Sequence, residues 1–142
     1  MTRLQMPAAI RDILFDHARR DLPNECCGLL IGTMDGENVS VSRAIPLVNE
    51  LHSPTAFRSE PRSLFTAMKA IREMNGELVA VYHSHPTGEA IPSVRDREEI
   101  TYPDALTVIV GLPEGIAQLR AWQFISGQFL EVEIEVSGPS AK

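Results

Sequence analysis

The sequence predicts an α/β fold, a mixed β-sheet flanked by helices, on three observations. Two segments repeat apolar residues at helical spacing, one around Ile10 to Ala18 and one around Leu64 to Ile71. Two continuous apolar runs, Leu78 to Tyr82 and Ala105 to Val110, read as strands buried on both faces. The last segment alternates, with Leu130, Val132, Ile134 and Val136 expected inward and Glu131, Glu133 and Glu135 outward. A chain of 142 residues suits one domain, expected over 1–137, with a flexible tail at 138–142.

Taken in order, Pro7 to Arg20 reads as an amphipathic helix with Ile10, Ile13, Leu14 and Ala18 on one face. Asp21 to Asn24 breaks it. Cys26 to Ile31 is a short apolar strand entered through Glu25, and Val39 to Val48 returns antiparallel after a turn at Asp35-Gly36. Asn49 to Ser59 is a polar connection. Glu60-Pro61 opens a second helix, to about Met74, with Leu64, Phe65, Met68 and Ile71 on its stripe and Asn75-Gly76 as its stop. Leu78 to Tyr82 follows, then a short helix from Ser93 to about Thr101 and the strand Ala105 to Val110. Gln118 to Ile125 and Gln128 to Val136 form a hairpin around Ser126-Gly127. The expected total is about six strands and three helices, reckoned from these segments.

A net charge of −6 gives no electrostatic support to a nucleic-acid partner. No apolar run has membrane-spanning length, and the N-terminus lacks a signal-peptide core, so no membrane association is expected. Cys26 and Cys27 are adjacent and poorly placed to bridge each other, which reads as a reduced, cytoplasmic chain. Homo-oligomerisation stays open.

The chemistry concentrates at Tyr82-His83-Ser84-His85-Pro86. On an extended backbone, side chains at i and i+2 share a side, so His83 and His85 aim at one point. Ser93 and Asp96 have capping-box spacing at the start of the next helix, and that cap would hold Asp96 rigidly toward the same point. Two imidazoles and one carboxylate suit zinc and leave a fourth position for water. The Ser93 hydroxyl would then serve a developing oxyanion. A non-ligand carboxylate is needed to carry the proton. Glu25, at the strand entry, is one choice, and Glu89 and Glu60 are its rivals. Cys26 and Cys27 admit a Cys–His nucleophile but read better as small buried residues. His17 and His52, in polar surroundings, receive no role.

The string H-x-H-x(7)-S-x(2)-D, with an upstream Glu before Cys26-Cys27-Gly28-Leu29-Leu30, resembles the JAMM family of metalloproteases, the MPN-type domain with its metal site intact. Ser53-Pro54-Thr55-Ala56-Phe57 and Tyr102-Pro103-Asp104-Ala105-Leu106 are similar to segments of its small prokaryotic members. The resemblance implies zinc bound by His83, His85 and Asp96, with Glu25 as general acid/base and Ser93 stabilising the tetrahedral intermediate. It implies a cytidine-deaminase-like fold. It also implies hydrolysis at the C-terminal Gly-Gly of a ubiquitin-like sulfur-carrier protein, trimming its tail or releasing cysteine. Glu60-Pro61 departs from the Asp-Pro common in relatives and reads as a tolerated cap change. A non-catalytic MPN-type scaffold and a DNA-repair-associated JAMM-like protein are the alternative readings.

Overall fold

A computed structural model describes residues 2–138. It contains seven strands, three α-helices and one 3-10 turn, in mixed α/β order. The elements are β1 (Arg3–Pro7), α1 (Ala8–Arg20), β2 (Cys27–Asp35), β3 (Asn38–Leu47), α2 (Pro61–Glu73), β4 (Glu77–His85), α3 (Val94–Glu98), β5 (Leu106–Gly111), β6 (Gln118–Ile125) and β7 (Gln128–Ser137). The expected tail, apart from Gly138, lies outside the described residues.

The sheet runs β1-β3-β2-β4-β5-β6-β7 and closes on itself. The seventh strand was not expected from the sequence. Five residues, Arg-Leu-Gln-Met-Pro, are too few for a clear period, and Pro7 reads as a helix start. Yet Leu4 and Met6 are fully buried, and β1 pairs parallel with both β3 and β7.

Two apolar clusters lie on the two faces of the sheet. Every strand contributes to the larger, including Leu4, Leu30, Val41, Tyr82, Val108, Ala121 and Val132, and α1 adds Ile10, Leu14 and Ala18. The smaller joins Cys27, Leu29, Ile31 and Leu47 to Ala67 and Ile71 of α2. The period of two explains the division: Leu30 faces one cluster while its neighbours Leu29 and Ile31 face the other.

Four expected core residues lie at the surface. Ile13, Phe65, Leu130 and Val136 are exposed. On a helical wheel Phe65 falls outside the arc of Leu64, Ala67, Met68 and Ile71 that meets the sheet. Ile13 likewise flanks the arc centred on Ile10 and Leu14. In β7 the alternation holds at its centre, where Val132 is buried, while Leu130 and Val136 toward the two ends are exposed although those ends stay paired with β6 and β1. The α3 helix is also shorter than expected and ends at Glu98.

Candidate active site

Strand β4 carries the histidines out of the core. Tyr82 and Ser84 point to one face, and His83 and His85 to the other. Tyr82 lies across Gly28, its pairing partner on β2, where an added Cβ would come within 2.2 Å of the ring. Its hydroxyl sits 2.8 Å from Nδ1 of His17. His17, read from the sequence as lying in polar surroundings and given no role, instead packs into the fold. It is buried, with Nε2 3.2 Å from Asp21. Burial lowers its pKa below the usual imidazole value, against the opposing pull of Asp21. Its spacing was the available signal: it falls three residues after Leu14 and seven after Ile10, on the buried stripe of α1.

The ligand atoms of His83, His85 and Asp96 all lie within 4.8 Å of one another. Nε2 of His83 is 3.1 Å from one carboxylate oxygen of Asp96, and Nε2 of His85 is 3.1 Å from the other. Nδ1 of His85 is 2.9 Å from the Glu89 carbonyl, which can only accept. Nδ1 therefore bears the proton, and in the neutral ring Nε2 turns a lone pair toward Asp96. A lone pair facing a carboxylate needs a positive charge between them. Burial lowers the His85 pKa, but bonds to Asp96 and Glu89 and the nearby carboxylate charges outweigh it and raise the value overall. Nε2 of His83 is buried and without a hydrogen-bond partner among the described residues, since its approach to Asp96 is a contact lacking hydrogen-bond alignment. A buried orphan nitrogen beside a second imidazole and a carboxylate fits a divalent metal.

Asp96 is held by a reciprocal cap. Its N–H donates to Ser93 Oγ at 3.1 Å, and its carboxylate accepts the Ser93 N–H at 2.9 Å. Burial would raise its pKa, but the closeness of the His83 imidazole and the bonds from His85 and the Ser93 N–H hold it well below the usual carboxylate range. Bonding to Asp96 uses one lone pair of the exposed Ser93 hydroxyl and leaves its hydrogen to donate outward.

Glu25 is 5% exposed and lines the same cleft as His83 and Asp96, a space of about 320 Å³ walled by Leu51, Phe57, Val81 and Tyr102. Burial pushes its carboxyl up to about 7, with further influence from His85, Asp96 and Arg95. Ser84, between the histidines, fixes the neighbouring peptide. Its Oγ accepts the Cys26 N–H at 2.8 Å, and its own N–H donates to the Cys26 carbonyl at 3.1 Å. Ser84 was not singled out from sequence, although a hydroxyl in a buried strand must find a partner.

A family model described as prokaryotic homologs of the JAB domain matches residues 7–125. The chain belongs to the prokaryotic JAB family. It is 31% identical over 140 residues to a desampylase of Haloferax volcanii, covering 95% of this chain and 97% of that protein. It is 32% identical over 134 residues to the CysO-cysteine peptidase of Mycobacterium tuberculosis, covering 94% and 90%. A probable TtuB-protein conjugate cleaving protease of Thermus thermophilus is 39% identical over 97 residues, 68% of this chain and 62% of that one. Among solved structures, a protein of Desulfitobacterium hafniense superposes with a TM-score of 0.86 at 31% identity, covering 97% of this chain and 95% of that one.

In this JAB domain, neither Glu60 nor Glu89 lines the cleft that holds Glu25. Glu60 caps α2, accepting the N–H groups of Arg62 and Ser63, and the Glu89 side chain is exposed. Cys26 and Cys27 are free and buried, and burial pushes both thiols up to about 12, which leaves no ready nucleophile. The loop after His85 is pinned from β5 and β6. Gln118 accepts the Ala90 N–H at 3.2 Å, the Trp122 indole donates to the Ala90 carbonyl at 3.0 Å, and Gly111 leaves room for the loop backbone. No described helix is long and apolar enough to cross a membrane.

Proposed function

We propose that this JAB protein is a zinc-dependent metallopeptidase. Its bond is the one at the C-terminal Gly-Gly of a ubiquitin-like sulfur-carrier protein, cleaved to trim the tail or to release cysteine. The observation that carries the reading is the buried, unpartnered Nε2 of His83, set beside His85 and Asp96 on the cleft that also holds Glu25. The names of the relatives, which speak of desampylation, a CysO-cysteine peptidase and conjugate cleavage, support it.

His83, His85 and Asp96 hold the ion. Zinc, when bound, supplies the Lewis acidity that makes water a usable nucleophile near neutral pH. Glu25 takes a proton from the attacking water and returns it to the leaving nitrogen. Its burial suits that double duty, because a carboxyl shifted toward neutrality both accepts and releases a proton. Ser93 donates its hydroxyl hydrogen to the carbonyl oxygen as charge develops there, a contribution on the order of 3 kcal/mol by comparison with other oxyanion donors. The buried, unbridged cysteines suit a reducing compartment, the cytoplasm. We read the fold as cytidine-deaminase-like.

The test is to incubate the protein with a sulfur carrier extended past Gly-Gly, with and without a chelator, and to weigh the products. The reading expects a mass loss at Gly-Gly that the chelator abolishes and zinc restores. Intact carriers under every condition would remove it.

A further inference from the structure

The segment from Asn49 to Ser59, a polar connection in the sequence, is built around one buried side chain. Asn49 is 5% exposed. Its Oδ1 accepts the N–H groups of Leu51 and Arg58, each at 3.1 Å. Its Nδ2 donates to the carbonyls of Ala56 and Glu25, each at 3.0 Å. These four bonds use both acceptor positions and both donor positions of the amide. Aspartate matches the shape but not the donors.

Three of the bonds shape the strap itself. The fourth leaves it and reaches Glu25, across 24 residues of sequence. The Glu25 N–H in turn donates to the Ser53 carbonyl at 2.9 Å. Both peptide groups of Glu25 are thus tied to this strap, while Cys26 beside it is tied to Ser84 on β4. The strap touches the other half of the site as well. Phe57 stacks on the His83 imidazole, with centroids 4.6 Å apart and planes 22° apart.

We propose that Asn49 is a positioning residue for hydrolysis: its amide fixes Glu25 over the cleft and holds the strap whose Phe57 backs His83. The inference rests on the hydrolase reading above. All four bonding positions of the amide are taken within the protein, so it acts through Glu25. A misplacement on the order of 1 Å at such a group costs about 100-fold in rate.

The experiment compares native protein, Asn49→Ser and Asn49→Asp. Fold is read by circular dichroism, bound metal by elemental mass spectrometry, and kcat and KM on the extended carrier. In the metal-free proteins, carbon-13 NMR of labelled glutamate reads the Glu25 titration, whose native midpoint is expected near 7 because the group is buried. Both variants are expected to fold and to bind metal as the native protein does. Their kcat should fall about 100-fold with KM changed less than threefold, and in Asn49→Ser, which adds no charge, the Glu25 midpoint should drop by about one unit or more toward the ordinary carboxylate range. Unchanged kcat, an unchanged midpoint in Asn49→Ser, or loss of metal along with activity would overturn the assignment. Failure of both variants to fold would make Asn49 a stability residue and overturn it too. An inactive native protein would instead reject the hydrolase reading, and the NMR comparison would still decide the positioning claim.

Discussion

At the scale of single residues, Glu25 links stability to pH. Its folded pKa, raised by burial to about 7, exceeds its unfolded value near 4.5, so between these values the folded state binds more protons than the unfolded. Stability contributed by the protonated carboxyl is whole below about 4.5 and is lost as pH rises through about 7. In metal-free protein, denaturant titrations at pH 5 and pH 8 should show this group costing on the order of 2 kcal/mol at the higher pH. Glu25→Gln should abolish that difference while leaving metal binding intact. An equal pH dependence in both proteins would mean that Glu25 is solvated. Ser84→Ala is a second test at this scale. It removes the acceptor for the Cys26 N–H and should cost about 1–3 kcal/mol by urea unfolding. A change below about 0.5 kcal/mol would show that the Cys26 bond is dispensable.

At the scale of elements, the site is a junction of β4, the loop behind it and α3. The histidine pair was legible because the strand period alone puts i and i+2 on one side. Asp96 was legible through its capping-box spacing, which the fold forms in full. The loop's anchorage was not legible. Gln118 and Trp122 meet Ala90 only once β6 has folded beside β5, and no local pattern announces a contact 28 or 32 residues away. Asn49 was hidden for the same reason, since an Asn in a polar connection looks solvated until its partners close around it. Gly111 tests the junction. A Cβ there would lie 2.5 Å from the Ala90 nitrogen, 2.7 Å from the Glu89 carbonyl carbon and 2.7 Å from the Gly88 oxygen, all backbone atoms that yield only by moving the loop. Gly111→Ala should destabilise by about 1–3 kcal/mol and weaken zinc affinity by disturbing the Glu89 carbonyl that orients His85. Native affinity in a competition titration would count against that second role of the loop.

At the scale of the molecule, closure of the sheet by β1 joins the last strand to the third. Neither the first nor the last described strand is a spectator. Leu4 is fully buried in the cluster shared by all seven strands. Leu4→Ala should therefore cost about 2–5 kcal/mol in a denaturant titration, as a core truncation does. A loss under about 1 kcal/mol would place β1 outside the cooperative core. The overall class was readable because helical and strand periods separate cleanly in the sequence. The closure was not, because a strand as short as Arg3–Pro7 earns its place through partners on both sides rather than through its own pattern.

The measurement that bears most directly on the account is anomalous diffraction at the zinc edge from zinc-soaked crystals, with His85→Ala as control. The account predicts one strong peak, bonded to Nε2 of His83, Nε2 of His85 and the Asp96 carboxylate, with the Glu25 carboxylate facing the open side, and no peak in the variant. A peak elsewhere, no peak in the native protein, or an undiminished peak in the variant would contradict it.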